Sequence, residues 1–510
     1  MDNESGGEGE RNIAAVADDQ GASAAADWAR SGVVALTGHP GGPPLLPPGD
    51  AATLARRVAA RLATATVRVD GAALLGERAA FTGRGRRGPV SVGGASRLLP
   101  TADGWAAVSC ARPDDPALLG ALVGAELPED VWPGVASWLS EHTGAELAER
   151  AALLGLAAAP VAGPSGAVAL PVAGRPRSVA GLLVVDFSAL WAGPLCAHLL
   201  GLAGARVVKV ETPQRLDGAR RGNPEFYRLL HGGHRAVLLD PATPGGRRAM
   251  AALVESADIV IEASRPRALA RFGLDAQAAV ERGAIWVSIT ANGRDSPRIG
   301  FGDDVAAGAG LVAHDERGEP VFCGDALADP LTGLIAAELA MSAPENGQGR
   351  LFDIAMSKVV AATLPTTKRE SPAPAARRAD PGGTAGRRAD YGRIVDAPAS
   401  QRTDATRAAD DPANRMLDAQ QADTGRAVDA QSSQRTETAW AGDGPGSRRA
   451  DASRVFDVQT RRRAGTGWVV DGPDGPVSVA APRRRAPAGD APGPGEHTAE
   501  VLRALGIPLP

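Results

Sequence analysis

Cysteine is scarce in this sequence and widely spaced. Its three cysteines, Cys110, Cys196 and Cys323, lack the spacing of a metal-binding motif. A disulfide-rich secreted domain is therefore excluded, and a reducing, cytoplasmic compartment is expected. His231 and His234 in LLHGGHR have no third ligand nearby in sequence, so we interpret them as polar turn residues and expect no metal site.

A strong charge of one sign is also missing. The formal net charge is −4 over 510 residues, which gives no electrostatic reason to expect nucleic acid or an anionic membrane as a partner. The acidic opening MDNESGGEGERN is unlike a signal peptide. The two long runs without charged residues, 151–174 and 187–205, are broken by proline, so no membrane span is expected.

The glycine fingerprint of a dinucleotide-binding loop occurs only out of context. Gly83, Gly85 and Gly88 match G-x-G-x-x-G, but Pro89 and the strand-like VSV follow them instead of a helix. A phosphate site of this kind needs a preceding strand and a following helix N-terminus. The sequence therefore disfavours an NAD-dependent dehydrogenase.

The composition of the chain changes along its length and predicts five regions. Residues 1–27 are predicted to be a disordered tail, and residues 28–165, here called the front segment, are predicted to fold. Residues 166–365, the rear segment, carry the clearest α/β pattern. Residues 366–465 are poor in apolar runs and predict a disordered, protease-sensitive insert, whereas residues 466–510 predict a hairpin through Pro473-Asp474-Gly475 and a final helix that return to the large domain.

Strands alternate with helices in the rear segment. The continuous apolar run LLVVDF predicts a strand buried on both faces, and Pro194 is predicted to open the next helix. ARVVKVE, HRAVLLD, ADIVIEA and AIWVSIT predict further strands, with one helix between the second and third of these. This alternation predicts an α/β fold with a Rossmann-like parallel sheet and right-handed crossovers.

Asp329 stands in CGDALADPLTGLIAAELA, directly before Pro330 and an apolar helical pattern. Its local sequence is typical of a helix N-cap with proline at the first helical position. The same position would keep the carboxylate ionised, because free amide N–H groups favour the anion. Asp329 is therefore predicted as an N-cap and as a candidate nucleophile, and the two interpretations are compatible.

The stretch LLVVDFSALWAGPLCAHLLGLAGARVVKVETP resembles the opening of the class III CoA-transferase family, the CaiB/BaiF type, which includes formyl-CoA and carnitine–CoA transferases and α-methylacyl-CoA racemases. The resemblance continues in order through LLDPATPGG, ADIVIEASRPRALARFGL and AIWVSITANGR and reaches ADPLTGLIAAELA. It implies a Rossmann-like large domain, a smaller α+β domain and a homodimer of threaded chains. It also implies that acyl-CoA and a free carboxylic acid are the substrates, with CoA as a substrate and no tightly bound cofactor.

By this resemblance, Asp329 is the catalytic residue and forms aspartyl anhydride and aspartyl-CoA thioester intermediates. The same comparison gives a set of CoA-binding positions: Leu190, Trp191, Ala192, Thr212, Leu239, Arg271 and Phe272. Thr212 replaces an arginine that some members have, and Ala263-Ser264 replaces an Asn-aromatic pair. These departures affect the expected mode of CoA binding.

Two other functions stay open. Racemases of the family pair the aspartate with a histidine before a second acid, whereas FGDDVAAGAG has Asp303 and Asp304 and no histidine. A racemase or lyase-like enzyme therefore ranks below a transferase. A CoA-binding protein without turnover is the other alternative.

The front segment resembles parts of the same family in an unusual order. Its residues 31–63 are similar to the region around Asp329, and the alignment places Ala52 opposite Asp329. SRLLPTADGWAAVSCARPDDPALLGALVG resembles the family's small domain. We interpret the front segment as a degenerate partial copy that supplies the small domain and docks beside Asp329, in its own chain or in a partner chain.

Overall fold

The computed structural model describes residues 24–64, 66–162, 168–171, 173–263, 266–342, 348–365, 460–463, 467–472 and 475–510. The tail prediction lies outside these ranges for residues 1–23, but it is wrong for residues 24–27, which begin a helix and are buried. Most of the predicted insert also lies outside the described residues. Its residues 460–463 form a strand, which the prediction missed.

The front segment and the helix that leads into it contain seven α-helices and three strands among the described residues. In chain order they are α1 (24–31), α2 (Ala51–Leu62), α3 (Gly71–Leu74), α4 (Glu77–Thr82), β1 (Ser96–Thr101), β2 (Gly104–Ser109), α5 (Asp115–Val123), α6 (Trp132–Glu141), α7 (Gly144–Leu154) and β3 (Ala158–Pro160). The three strands form an antiparallel sheet in the order β1-β2-β3. Leucines of α5–α7 pack with this sheet into a core of their own, which is the smaller α+β unit expected.

The rear segment follows with strands and helices in alternation. They are β4 (Leu183–Asp186), α8 (Ala192–Leu202), β5 (Arg206–Glu211), α9 (Pro224–His231), β6 (Arg235–Leu238), α10 (Pro244–Ser256), β7 (Ile259–Glu262), α11 (Pro266–Arg271), α12 (Ala276–Glu281), β8 (Ile285–Thr290), α13 (Gly302–Gly308), β9 (Val312–His314), β10 (Pro320–Phe322), α14 (Ala328–Met341), β11 (Arg350–Ala355) and α15 (Met356–Ala361).

Six of these strands form one parallel sheet in the order β11-β8-β7-β4-β5-β6. The first strand in sequence, β4, lies in the middle, and the chain adds strands first to one side and then to the other. This is the order of a doubly wound sheet, which binds ligands where the winding direction changes, here between β4 and β7. The predicted α/β class is confirmed, whereas β11 was not predicted.

The C-terminal residues return to both parts of this structure. Strands β12 (Thr460–Arg463), β13 (Gly467–Gly472) and β14 (Gly475–Ser478) form an antiparallel sheet, so the predicted hairpin is confirmed. Helix α16 (Thr498–Ala504) lies against β6, where the hydroxyl of Thr498 accepts a hydrogen bond from the Leu238 N–H at 3.0 Å. No helix in the described ranges is long and apolar enough to cross a membrane.

The front segment and the parallel sheet share one hydrophobic core. Val58 and Leu62 of α2 belong to the same buried cluster as Leu195 of α8 and Leu331 of α14. Ala52, the position aligned with Asp329, is the second residue of α2, just as Asp329 is the second residue of α14. Helices α2 and α14 pack against each other, so the two aligned positions stand at the starts of neighbouring helices.

Candidate active site around Asp329

Asp329 lies in the first turn of α14 and is not the N-cap. The N-cap is Leu327, which makes no side-chain cap, and the predicted capping role of Asp329 is therefore wrong. The helix begins after Ala326, whose φ of +48° is a left-handed conformation that a residue with a side chain rarely adopts. The Ala326 carbonyl accepts a hydrogen bond from the Asp329 N–H at 3.0 Å. Asp329 is the second residue of the helix.

Three further charged residues surround the Asp329 carboxylate. Arg78 of α4 donates two hydrogen bonds to Asp325, at 2.9 and 2.5 Å, and its charge also acts on Asp303 and Asp329. Asp303 accepts a hydrogen bond from the Ala326 N–H at 2.8 Å. The backbone N–H of Gly302 lowers the pKa of the Asp329 carboxyl. A cation from the front segment thus stands among three carboxyl groups of the rear segment.

Two carboxyl groups of this cluster, those of Asp329 and Asp303, have raised pKa values. Burial, opposed by the charge of Arg78 and assisted by the charges of Asp303 and Asp325, raises the pKa of Asp329 to about 7. Burial and the charge of Asp325 raise the pKa of Asp303 to about 6. The prediction that Asp329 stays fully ionised is therefore wrong, because desolvation by the surrounding protein outweighs the favourable N–H groups at the helix start.

The turn between β4 and α8 lies close to this cluster. Gly333, one helical turn beyond Asp329, packs so tightly against this turn that a Cβ atom there would lie 2.6 Å from the Ala192 carbonyl oxygen. The guanidinium carbon of Arg78 lies 5.0 Å from the centre of the Trp191 ring. The predicted turn and the predicted nucleophile are therefore brought together through Arg78.

The three turn residues predicted to meet CoA differ in exposure. Leu190 has a φ of +71° and is 41% exposed, one of the few large apolar side chains on the surface of the described residues. Trp191 and Ala192 are buried, and Trp191 packs edge-on against Phe226. Only Leu190 presents its side chain to solvent, whereas the other two can offer only backbone to a ligand.

The remaining predicted CoA positions lie along the ends of β5, β6 and α11. Thr212 is partly exposed just after β5. Leu239 is fully buried in the core on the α10 side of the sheet, so its side chain is covered, and its contact with CoA stays a prediction. Arg271 is exposed and Phe272 partly buried, beside a cavity of about 590 Å³ that Glu262, Trp286 and Arg294 help to line.

The two histidines of LLHGGHR are buried, which corrects their interpretation as polar turn residues. His231 ends α9 with no exposed surface, and His234 is 6% exposed. Burial lowers the pKa of both imidazoles, so they are neutral at pH 7. In the described part of the chain no group of three or more His, Cys, Asp or Glu side chains is arranged to hold a metal ion.

Arg78, Asp325 and Gly302 belong to the site but were missed from the sequence. Arg78 stands 247 positions from Asp325 in an ordinary stretch, GERAAFTG, and no local pattern connects them. Asp303 was noted only as a replacement for a histidine. Its neighbour Asp304 points the other way, accepting a hydrogen bond from the Ser109 hydroxyl of β2 at 2.8 Å.

Comparison with known proteins confirms the family resemblance. Residues 179–401 match the model of CoA-transferase family III. The chain is 29% identical over 214 residues to the succinate–glutarate CoA-transferase of Agrobacterium fabrum, covering 37% of this chain and 54% of that protein. It is 30% identical over 205 residues to the human succinyl-CoA:glutarate CoA-transferase, covering 35% of this chain and 47% of that protein.

A solved structure of a CaiB/BaiF family protein from Brucella suis is 29% identical, covering 36% of this chain and 55% of that chain with a TM-score of 0.33. The chain spans about half the length of the curated relatives it matches.

Proposed function

We propose that this chain, whose residues 179–401 match CoA-transferase family III, moves CoA between carboxylic acids with Asp329 as the nucleophile. The observation that carries the proposal is the setting of Asp329. Its carboxylate lies at the start of α14, next to the turn expected to hold CoA, with a pKa of about 7. A carboxylate stripped of part of its water is a stronger nucleophile than one in bulk solvent, and at neutral pH about half of the Asp329 groups carry the required charge.

The reaction proceeds through four acyl transfers with no net change in protons. The Asp329 carboxylate attacks the thioester carbonyl of the donor, the carbon–sulfur bond breaks, and CoA leaves as a thiolate from a mixed anhydride. The thiolate then attacks the Asp329 carbonyl, which releases the donor acid as a carboxylate and leaves an aspartyl-CoA thioester. The acceptor carboxylate reverses these two steps and leaves with CoA. Each step needs the partners held at reacting distance rather than an external base.

The charges around Asp329 suit this sequence of steps. Arg78 lies close enough to stabilise negative charge, and its orientation is set by the two hydrogen bonds to Asp325. The Gly302 N–H lowers the pKa of the Asp329 carboxyl and is the donor we propose for the oxyanion of a tetrahedral intermediate. The front segment supplies Arg78, which packs against Asp325. A site covered in this way would protect an anhydride from hydrolysis by water.

Dicarboxylic acids are the first substrates to try. The relatives are named for succinate, glutarate and succinyl-CoA, and we extend that class to this chain as part of the proposal. The homodimer implied by the resemblance and the cytoplasmic location expected from the few cysteines stay predictions.

The test is intact-protein mass spectrometry after mixing the full chain with succinyl-CoA, glutaryl-CoA and acetyl-CoA. We expect a mass increase equal to CoA less one water, and peptide mapping should place it on Asp329. Asp329→Asn should abolish both the adduct and CoA exchange. Asp353→Asn, which changes an exposed carboxylate on β11, is the matched control and should behave as wild type. Wild-type exchange by Asp329→Asn would refute the mechanism.

A racemase or lyase-like reaction is the second candidate, because Asp303 also has a raised pKa and shares its surroundings with Asp329. Two carboxyl groups with pKa values near neutrality can pass a proton between them. Deuterium entering the α-carbon of a branched acyl-CoA in heavy water, without CoA exchange, would favour this candidate. Binding of CoA without either reaction would favour a binding protein.

A further inference from the structure

The turn that carries Leu190 is strained and sits on a buried cluster of charges. Leu190 has a φ of +71°, a left-handed conformation that costs free energy for a residue with a Cβ atom. Its side chain is 41% exposed and rests over Gly218, where an added Cβ atom would lie 3.2 Å from Leu190 Cδ2. Something in the surrounding structure must hold the backbone in this conformation.

The holding contacts come from Lys209 and Asp217. Lys209, on β5 opposite the last residue of β4, donates a hydrogen bond from Nζ to the Ser188 carbonyl at 2.7 Å. Asp217 accepts a hydrogen bond from the Leu190 N–H at 3.0 Å. Lys209 Nζ lies 3.0 Å from Asp217 Oδ2, so the two side chains also bind each other. The two side chains therefore hold the turn by hydrogen bonds to the residues before and after Ala189.

Further hydrogen bonds and ion pairs hold Lys209 and Asp217 in place. Asp217 also accepts from the Ala219 N–H at 2.9 Å, and its own N–H donates to Glu211 at 2.8 Å. Asp186 lies 3.8 Å from Lys209 and accepts from the Ser188 N–H at 2.8 Å. The side chains of Lys209, Asp186 and Asp217 are at most 1% exposed. None of these three residues has a surface with which to meet a ligand, so their effect on one must pass through the turn.

We propose that Lys209 and Asp217 are positioning residues that hold the turn at residues 188–192 in its CoA-binding conformation. The inference rests on the proposed function and extends it to residues that touch neither substrate nor Asp329. Buried charges cost free energy to desolvate, and a hydrophobic residue would fill the position of Lys209 more cheaply. The free energy lost in burying Lys209 and Asp217 is explained if these two residues maintain a strained turn that the ligand needs.

The test is a double-mutant cycle between Lys209→Met and Leu190→Gly, with CoA binding to the full chain measured by calorimetry. Lys209→Met removes the hydrogen bond to the Ser188 carbonyl and the ion pair with Asp217. It should weaken CoA binding about tenfold, which is the scale of losing a hydrogen bond to a charged group. It should raise the KM for acyl-CoA with kcat changed less than about twofold, since only uniform binding is lost. Leu190→Gly removes the strain, because glycine adopts positive φ readily.

The double variant distinguishes positioning from a general loss of stability. In the Leu190→Gly background, Lys209→Met should weaken CoA binding about twofold or less, because the turn no longer needs to be held. An equal loss in both backgrounds overturns the inference. Asp217→Asn is the second variant should Lys209→Met fold poorly, and its loss should depend on residue 190 in the same way. Arg112→Met, which removes the partner of buried Asp115 in the front segment, is the control, with lower stability and unchanged CoA affinity.

A failure of the proposed function gives a different result. Wild-type protein that does not bind CoA at all overturns the function and the inference together. Wild-type protein that binds CoA but shows no coupling between residues 190 and 209 overturns the inference alone. Hydrogen exchange of the Leu190 amide, measured without CoA, should be faster in Lys209→Met than in wild type and unchanged in Arg112→Met. If the Leu190 amide of Lys209→Met exchanges at the wild-type rate, Lys209 does not hold the turn.

Discussion

At the scale of single residues, the raised pKa of Asp329 links catalysis to stability. Burial raises the pKa of Asp329 from 3.8 to about 7. An acid with a raised pKa in the folded chain contributes stability that is fully present below its unfolded pKa and is lost as the pH rises through its folded pKa. The window here runs from about pH 4 to about pH 7. A functional carboxylate in this setting is kept at a cost to the fold.

The first prediction follows from that cost. Asp329→Asn cannot ionise, so its free energy of unfolding should exceed that of wild type by on the order of 4 kcal/mol at about pH 8. The difference should shrink toward zero near pH 4, as the wild-type carboxyl becomes protonated in both states. Denaturant unfolding at several pH values measures it, with Asp353→Asn as the control. A difference that does not change with pH would contradict the raised pKa.

The second prediction concerns Arg78, whose charge lowers the pKa of Asp329 against the effect of burial. Removing it as Arg78→Gln should raise that pKa further. The rate of CoA exchange rises with pH as Asp329 ionises, so in this variant the rise should move to higher pH. Its maximal rate should also fall, since a nearby cation is lost.

The control for Arg78 is Arg84→Gln, because Arg84 is exposed and binds the Gly93 carbonyl rather than a carboxylate. It should keep the wild-type pH profile. An unshifted profile in Arg78→Gln would show that its charge does not act on Asp329.

At the scale of elements, the first residue of α13, Gly302, packs closely against the start of α14. A Cβ atom at Gly302 would overlap Asp329 Oδ2 and also lie 2.7 Å from the Ala326 Cβ. Helix α13 thus brings a bare backbone N–H to the carboxylate. A third prediction follows: Gly302→Ala should displace Asp329 and reduce CoA exchange at least about a hundredfold, since small misplacements of reacting groups cost this much.

Gly308→Ala, at the other end of the same helix, is the matched control. Its added Cβ atom would meet the Ala159 methyl at 2.8 Å, far from the reacting groups. It should cost stability while exchange falls much less. Both variants are to be compared by exchange rate and by unfolding midpoint, and similar losses of exchange in the two would argue against a special role for Gly302.

At the scale of the whole molecule, the front segment is part of the same core as the parallel sheet. Val58, Leu62, Leu195 and Leu331 share one buried cluster, and Arg78 reaches Asp325. The fourth prediction is that a chain starting at residue 166 is poorly soluble and lacks CoA exchange, because it exposes that apolar surface and loses the cation. Adding residues 24–162 as a separate chain should restore part of the activity. Full activity of the shorter chain alone would show that the front segment has no role.

The CoA adduct expected on Asp329 also tests whether the front segment is a degenerate copy. Ala52 occupies in α2 the position that Asp329 occupies in α14, but its methyl group cannot attack a thioester. Peptide mapping after incubation with succinyl-CoA should therefore find one adduct per chain, on the Asp329 peptide and none on residues 51–62. A labelled α2 peptide would contradict this fifth prediction.

Local patterns in the sequence determined the secondary structure well. Strands such as Leu183–Asp186 and Ile285–Thr290 were predicted because residues buried on both faces leave a continuous apolar run. The family resemblance located Asp329 because its matches follow one another along the chain. Such information lies within a few neighbouring residues, so the sequence alone is enough to show it.

Only the tertiary structure decided what surrounds Asp329. Its pKa depends on burial and on Arg78, which comes from a distant segment of the chain, and no pattern in either stretch reports that the two meet. The burial of His231 and Leu239 was likewise hidden, because a turn-like or edge position in sequence does not show which elements cover it. Electrostatic environment is a sum over groups that only folding brings together, and for that reason it could not be predicted from the sequence.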